Sequence, residues 1–248
     1  MLEVIALRAR YRLGNLARLV SGLWRERQIA ADSATSIFAC GFGASGWHHL
    51  RMTLEEYDAD PAICARDTPL WKFLREFKPA SISALAAPGA EPALPIFTYP
   101  WGTFRVGEAQ SAKDPWGSRF CGPSTDEFIE EEFTRFIALY REMRETGYRP
   151  TTYPHSHIGG TWLINYSGER RFVVLQGNHR MAILAHLGEQ QIAVRTLRGY
   201  LPAVREHEAD RWPLVISGKC SREHALAVFR LFFRESGQHV GRSIAGDC

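Results

Sequence analysis

The pattern of apolar and polar residues is clearest between Arg171 and Gly188, where three short segments follow one another. The continuous apolar run from Phe172 to Leu175 is typical of a strand that is buried on both faces. Gly177 then permits a tight turn, and Gly188 stands where a helix stop is expected. Between these glycines, apolar residues recur at helical spacing at Met181, Ile183, Leu184 and Leu187. The pattern predicts a buried strand, a polar turn and a helix.

The same periodicity predicts further helices. The strongest runs from Ser124 to Tyr148, with Ser124 or Thr125 as its cap and acidic residues in its first turns. Its buried stripe is Phe128, Ile129, Phe133, Phe136, Ile137, Tyr140 and Met143. A basic amphipathic helix is predicted at residues 2–28, and Ser221 is expected to cap a last apolar helix. Shorter helices are predicted to begin at Thr53, Trp71 and Ala203.

The chain of 248 residues is long enough to form one large domain, or a main domain with a smaller additional unit. The segment from Ala80 to Pro95 is rich in Ala, Pro and Ser, which is typical of an exposed linker. We therefore divide the chain into a helical and loop extension at 1–95, a core at 96–235 and a flexible, glycine-rich tail at 236–248.

The turn between the predicted strand and helix has the composition of an anion site. The first turn of a helix presents backbone N–H groups and a partial positive charge, so a phosphate group is stabilised there. Asn178, His179 and Arg180 add side-chain donors at the same place, and an arginine can hold two phosphate oxygens at once. The alternative is a plain connection, in which His179 is a cap and Arg180 a surface charge.

The block from Ile137 to Arg195, about a quarter of the chain, resembles the ParB/sulfiredoxin superfamily. The segments that carry the resemblance are a helix and loop at Leu139 to Pro150, a strand at Trp162 to Asn165, a hairpin at Gly168 to Arg170, the turn at Gly177 to Arg180 and a closing strand that ends at Arg195. The turn is the specific element, since it binds nucleotide phosphates in that superfamily. The resemblance implies an α+β fold with a small mixed sheet, packed helices and an N-terminal helical and loop extension.

Two departures narrow the function that the resemblance implies. Sulfiredoxins carry a catalytic cysteine at the turn position that Asn178 occupies here, so repair of cysteine sulfinic acid is not expected. Chromosome-partition members continue into a helix-turn-helix domain, but only about fifty residues follow Leu201, fewer than a typical domain needs. A third branch, the nucleotide-dependent kinases of small hydroxyl compounds, is compatible with both departures.

The resemblance to this branch predicts an ATP-dependent phosphotransferase that acts on a small hydroxyl metabolite or a sugar. ATP or another nucleotide, with Mg²⁺, would be held at Gly177, Asn178, His179, Arg180 and Met181. Kinase-like members use an acidic residue, and the sequence does not separate its counterpart among Glu130, Glu131 and Glu132. We name His179, Glu131 and Glu130 as the predicted catalytic residues. The alternatives are a non-enzymatic CTP- or ATP-dependent switch, related to the DNA-partition proteins, and a fold with a purely structural role.

Other histidines and tryptophans are secondary candidates. His155 and His157 alternate on an extended segment, so His157 is predicted to line the nucleotide or substrate pocket, with a structural loop as the alternative. The adjacent His48 and His49 would point in different directions on a regular element, so a shared metal is not expected. The chain contains two Pro-Trp-Gly triplets. We expect their tryptophans to be buried and to anchor loops. The alternative is that they form a wall of a substrate or base-stacking site, together with Arg105, Lys113 and Arg119.

The distribution of charge limits which partners the protein is expected to bind. The formal net charge is +3, but residues 1–27 carry about +4 and the remainder, with 24 basic against 25 acidic residues, carries about −1. Because residues 28–248 have almost no net charge, they lack the positive surface charge that binding to duplex DNA requires, and duplex DNA is not an expected partner.

The cysteines and the apolar stretches predict the cellular location. The five cysteines lack the spacing of a zinc site, and no apolar stretch is long enough to span a membrane, so a cytoplasmic protein is predicted. The basic N-terminal helix leaves peripheral membrane contact as an alternative to docking on its own domain.

Overall fold

The computed structural model describes residues 26–86, 96–103, 120–149, 157–197, 200–234 and 236–245. The strands in these ranges are Arg27–Ile29 (β1), Ala34–Thr35 (β2), Thr98–Tyr99 (β3), Gly102–Thr103 (β4), Ile158–Ile164 (β5), Arg170–Gln176 (β6), Ile192–Thr196 (β7) and Ala203–Arg205 (β8). The α-helices are His49–Ala59 (α1), Pro69–Glu76 (α2), Ile82–Ala86 (α3), Asp126–Thr146 (α4), Asn178–His186 (α5), Pro213–Ile216 (α6), Arg222–Arg234 (α7) and Gln238–Ala245 (α8). Short 3₁₀ helices cover Ala31–Ser33, Ala65–Asp67 and Glu206–Arg211.

Six of these strands form one mixed sheet, which confirms the predicted α+β class. The strand order is β1-β7-β5-β6-β2, and β8 also pairs with β5. β5 and β6 form an antiparallel hairpin, whereas β7 and β8 run parallel to β5 and β2 runs parallel to β6. β3 and β4 form a separate two-stranded ribbon. β6, which leads into the Gly177 turn, is therefore flanked by a strand on each side.

The predicted strand from Phe172 to Leu175 is confirmed as the central part of β6. The three consecutive residues Phe172, Val173 and Val174 are fully buried, which requires that both faces of the strand are covered. Across the hairpin, the Trp162 ring packs edge-on against Phe172, with 5.1 Å between the ring centroids. This packing fixes the position of β6 and hence the place where α5 begins.

The chain around residue 28 forms a strand instead of the end of a helix. The predicted helix at 2–28 lies largely outside the described residues, which begin at Glu26. Within them, β1 pairs antiparallel with β7, and buried Ile29 lies opposite buried Ile192. This pairing of two β-branched residues stabilises the strand, and helical periodicity within one segment cannot reveal it. No helix among the described residues is both long and apolar enough to cross a membrane.

The two helices that matter most for the site agree with the sequence prediction. α4 lies within the predicted Ser124 to Tyr148, and the Thr125 hydroxyl caps it by accepting a hydrogen bond from the Phe128 amide at 3.3 Å. α5 begins at Asn178, earlier than Met181, because Gly177 adopts a left-handed conformation with φ of +87° at the turn. The described side chains of α5 that are buried are Met181, Ala182, Ile183 and Leu184.

Two of the shorter predicted helices differ in the structure. The helix predicted to begin at Thr53 begins at His49, and Thr53 is buried inside it, where its hydroxyl accepts from the Leu70 amide at 2.9 Å. The segment predicted as a charged helix from Ala203 is first strand β8, because it pairs with β5, and then a 3₁₀ helix. The helix predicted from Trp71 is confirmed as part of α2.

Two segments that were predicted to be exposed contain helices with buried residues. Ile82 and Ser83 of α3 are buried, and the part of the predicted linker from residue 87 to 95 lies outside the described residues. In the predicted tail, α8 buries Val240 and Ile244, which share one helix face. The Ser236 carbonyl also accepts from the amides of Gly41 and Trp47, at 3.1 and 2.7 Å. This part of the chain therefore holds the glycine-rich loop that leads into α1.

We predict that the substitution Gly177→Ala destabilises the fold by about 2–3 kcal/mol, because alanine loses about 1–2 kcal/mol at positive φ and its Cβ would also crowd β5. That Cβ would lie 3.2 Å from the Ile158 Cα. Gly168, with φ of +84° and open space around it, is the matched control. Urea unfolding should show a loss of only about 1 kcal/mol for Gly168→Ala. Equal losses in both variants would contradict the close approach.

Candidate functional site

A cavity of about 690 Å³ opens at the N-terminus of α5. This volume is within the range of about 300–1,000 Å³ that is usual for small-molecule sites. The other walls include the N-terminus of α1, one face of α4, the chain at residues 36–38, and Leu70 and Leu74 of α2. The polar lining residues are Ser36, His48, His49, Glu132, Arg135, Glu142, Asn178, His179 and Arg180. The positive N-terminal ends of α1 and α5 therefore both face the same cavity.

The turn at Gly177 places the positive end of α5 at the cavity. β6 ends at Gln176, and the first hydrogen bond within the helix is donated by the Met181 amide to the Gly177 carbonyl at 2.9 Å. The amides of residues 178–180 therefore belong to the first turn, where N–H groups point out of the helix. Gly177, Asn178, His179 and Arg180, all predicted from the sequence, line the cavity together.

Asn178 and Met181 differ in what they contribute. The Asn178 side-chain oxygen is buried and has no hydrogen-bond partner among the described residues. A buried polar atom of this kind is costly unless a ligand or water satisfies it. Met181, which was predicted to bind the cofactor, is fully buried in the core, and its amide is used by the Gly177 carbonyl. Its role is therefore to anchor the helix.

The His179 imidazole contacts the Glu132 carboxylate at the cavity wall. The His179 Nε2 lies 2.8 Å from the Glu132 Oε1, and the Phe136 ring packs against the imidazole with 5.0 Å between centroids. Arg135 also pairs with Glu132. Burial alone would raise the pKa of the Glu132 carboxyl, but the hydrogen bond and charge of His179, with the charge of Arg135, outweigh burial and lower this pKa. Glu132 is therefore an ionised partner that orients the His179 ring.

The other two glutamates of this run point elsewhere. Glu130 and Glu131, the predicted catalytic pair, are exposed, and neither lines the cavity. The Glu130 Oε1 lies 3.6 Å from the Arg66 Nε on the outer surface. Successive residues of a helix are rotated by about 100° around its axis, so only one of three neighbours can face α5. That residue is Glu132.

His157 lies near the turn without reaching the cavity. Its carbonyl is close to Gly177, but its side chain is not among the described cavity-lining residues. The pKa of His157 is lowered by partial burial and by the charge of Arg195, against the opposing charge of Glu26. These neighbours belong to the β1–β7 edge of the sheet. His155 lies outside the described residues.

His48 and His49, for which the sequence predicted no shared metal and no other role, are functional candidates in the structure. The two rings stack on each other with 4.5 Å between centroids and an interplanar angle of 23°. Phe42 stacks on His48 at 4.0 Å and Phe73 stacks on His49 at 3.8 Å, which completes a four-ring column. The expectation of diverging rings was wrong because His48 is the extended cap residue of α1, whereas His49 is its first helical residue. The signal that could have identified them is a pair of adjacent histidines at a helix start, but the helix was predicted to begin at Thr53.

Both histidines of this column are held in the neutral form. Burial, followed by the charges of His179 and Arg51, lowers the pKa of His48 to about 3. Burial, with the charges of His48 and His179, also lowers the pKa of His49 well below its ordinary value. Among the described residues, no group of three or more His, Cys, Asp or Glu side chains is arranged to hold a metal ion.

A second polar cluster fastens the three helices around the cavity. The Asp58 carboxylate of α1 accepts from the Tyr140 hydroxyl of α4 at 2.8 Å, and it lies 2.8 Å from the His186 Nε2 of α5. Burial alone would raise the pKa of Asp58, but these two hydrogen bonds, with the charges of His186 and Arg144, lower it. The cluster ties α1, α4 and α5 together at the surface, away from the lining residues.

The first Pro-Trp-Gly triplet is structural. Trp101 is buried and packs edge-on against Trp212 and Phe229, with ring centroids at 5.3 and 5.8 Å. The second triplet lies outside the described residues, and so does the predicted wall of Arg105, Lys113 and Arg119. The tryptophan that the structure describes therefore fits the predicted loop anchor.

We predict that the free energy of unfolding decreases as the pH falls from about 7 to about 5. The pKa of His48 is about 3 in the fold and about 6.5 in the unfolded chain, so the unfolded chain binds the extra proton. Below the unfolded pKa the expected slope is up to about 1.4 kcal/mol per pH unit for each such histidine.

Urea unfolding across this pH range measures the slope, and His48→Asn provides the comparison. Asparagine keeps an oxygen that caps α1 but does not titrate. The variant should show a shallower pH dependence than the wild type. Identical slopes for the two proteins would contradict a buried neutral His48.

Comparison of the chain with protein-family models, with curated proteins and with solved structures found no match. The functional assignment therefore depends on the geometry of the cavity. The features that carry it are the Gly177 turn, the oriented His179 and the buried histidine column.

Proposed function

We propose that this protein binds a nucleoside polyphosphate in the cavity and transfers its terminal phosphoryl group to a small hydroxyl compound. The observation that carries the proposal is the carboxylate-oriented histidine at the positive end of α5: Glu132 holds His179 beside Arg180 inside one cavity. An anion site and an acid–base group are thus joined in one place. Phosphoryl transfer requires both, since its catalysis depends mainly on positioning and charge neutralisation.

The phosphates would bind at the first turn of α5. Backbone N–H groups of residues 178–180 and the helix dipole favour an anion there, as they do at other helix N-termini. Arg180 and Arg135, which both line the cavity, add positive charge across the same space. Arginine suits this role because its planar group contacts two phosphate oxygens at once. ATP is the proposed nucleotide.

A magnesium ion is compatible with the lining residues. Mg²⁺ is usually held by one or two carboxylates together with substrate phosphates, and it keeps several waters. Glu142 and Glu132 supply carboxylates to the cavity, although Glu132 is already paired with His179. Glu142 is therefore the better candidate ligand. The ion would neutralise phosphate charge.

His179 is the proposed general base. Its Nε2 donates to Glu132, so the Nδ1 of the neutral ring carries the lone pair. In the proposed step, the acceptor hydroxyl oxygen attacks the terminal phosphorus, its proton passes to Nδ1, and the bond to the bridging oxygen breaks to release the nucleoside diphosphate. Glu132 fixes the tautomer and stabilises the imidazolium that forms, as the carboxylate does in catalytic triads.

The ParB/sulfiredoxin superfamily remains our proposal for the fold family. The antiparallel hairpin that leads into a glycine turn and a helix is consistent with this assignment. Asn178 at the cysteine position favours the kinase-like branch over sulfinic acid repair. A nucleotide-dependent switch without turnover is the alternative within this proposal, and the two differ in whether the bound nucleotide is consumed.

We predict that Glu132→Gln lowers the rate of phosphoryl transfer by about 10²-fold while ATP affinity stays within about twofold, because general acid–base catalysis is worth at least that factor. The control is Glu131→Gln, an exposed neighbour on the same helix, which should transfer at the wild-type rate. The measurement is transfer of label from γ-labelled ATP to a pool of small hydroxyl compounds, with calorimetry for ATP binding.

Three outcomes would count against parts of this account. Wild-type transfer by Glu132→Gln would remove the role of the Glu132–His179 pair. ATP binding without transfer to any acceptor by the wild-type protein would favour the switch. Absence of ATP binding by the folded wild-type protein would overturn the proposal altogether.

A further inference from the structure

The end of the cavity at α1 has a hydrogen-bond donor of its own. His48 lines the cavity yet is 0% exposed to solvent. Its Nδ1 accepts from the Leu50 amide at 3.3 Å, which caps α1. Its Nε2 is buried and has no hydrogen-bond partner among the described residues. The cap thus uses one ring nitrogen and leaves the other for a ligand.

The cap also determines which nitrogen carries the proton. A nitrogen that accepts from an amide cannot itself be protonated, so the single proton of the neutral ring lies on Nε2. The stacked rings of Phe42 and His49 hold the imidazole in place, at centroid distances of 4.0 and 4.5 Å. His48 therefore presents a fixed N–H donor. A buried donor of this kind normally has a partner.

The surroundings of this donor favour an anion. His48 stands at the N-terminus of α1, a helix of 11 residues, where the dipole is positive. Arg51, in the next turn, is buried, and its guanidinium donates to the Gly46 carbonyl at 2.7 Å and pairs with Glu55. Burial, followed by the charges of His179 and Arg51, opposes protonation of His48, so the ring stays a neutral donor. The positive end of the α1 dipole beside this donor favours an oxyanion.

We infer that the acceptor of the proposed reaction carries an oxyanion, a carboxylate or a phosphate, which binds to the Nε2–H of His48 at the N-terminus of α1. This inference rests on the proposed function, since it assigns α5 to the nucleotide and α1 to the acceptor. The His179 base stands on the wall of the same cavity, so a molecule held by its anionic group at His48 can present its hydroxyl to His179. The substrate class is therefore a small anionic hydroxy compound.

The test uses three small probes that share a hydroxyl group but differ in charge: lactate carries a carboxylate, glycerol phosphate carries a phosphate, and glycerol is neutral. Each is titrated into ¹⁵N-histidine-labelled protein, alone and with a non-hydrolysable ATP analogue, while the imidazole resonances are followed. His48→Asn keeps an oxygen for the α1 cap, but its shorter side chain places no donor at the position of the imidazole Nε2. His224→Asn is the control, because His224 is also buried with an unpartnered Nε2 but does not line the cavity.

The expected result is that lactate or glycerol phosphate shifts the His48 resonances with millimolar affinity, that the affinity falls about tenfold in His48→Asn, and that glycerol has no effect. The anion that binds, lactate or glycerol phosphate, shows whether the acceptor carries a carboxylate or a phosphate. His224→Asn and the affinity for the ATP analogue should be unchanged. If the anions bind through His48 but the ATP analogue does not bind, the proposed function fails and the anion site stands.

Two results would overturn the inference. The first is that neither anion moves the His48 resonances of the folded wild-type protein, a measurement that does not depend on the folding of any variant. The second is that His48→Asn weakens the ATP analogue as much as the anions, which would place the nucleotide itself at α1.

Discussion

The left-handed turn at Gly177 is the constraint on which the rest of the structure depends. β6 is held between β5 and β2, and α5 begins directly after it, beside Ile158 of β5. A positive φ at Gly177 permits this reversal without a Cβ in the way. Because its neighbours fix the position of β6, the turn also fixes where the positive end of α5 lies. The cavity is built around that end.

The polar groups at the surface and those in the cavity differ in whether they have hydrogen-bond partners. The surface cluster at Asp58 ties the helices together, whereas the cavity contains buried polar atoms of His48 and Asn178 that have no partner among the described residues. Such atoms reduce stability unless a ligand satisfies them, so their presence around one space is a sign of binding. The same burial keeps His48 neutral and lets it act as a donor.

Local features of the fold could be predicted from the sequence. The strand, turn and helix around Gly177 were predictable because each is specified by residues within a few positions: an apolar run, a glycine and helical spacing. α4 was predictable for the same reason. β1 was missed because its stability comes from pairing with β7, far along the chain, and α8 because a polar, glycine-rich segment does not reveal what it packs against.

The convergence of the turn residues on one cavity could be predicted from the sequence, whereas the contact between Glu132 and His179 could not. Gly177 to Arg180 are adjacent in sequence, so a helix that begins there necessarily brings them together at its N-terminus. The choice among Glu130, Glu131 and Glu132 depends on the rotation of α4 relative to α5, which tertiary packing sets. The stacking of His48 on His49 depends on a cap conformation that no periodic pattern encodes.

In the proposed complex, nucleotide phosphates bind at the first turn of α5. Hydrogen exchange of the backbone amides at residues 178–180, measured with and without ATP and Mg²⁺, tests this binding most directly. These amides precede the first hydrogen bond within the helix, so they should exchange quickly in the free protein and slowly once phosphate oxygens accept from them. Protection confined to this turn and to the facing side of α4 is the predicted result. Unchanged exchange at residues 178–180 with saturating ATP would contradict the account.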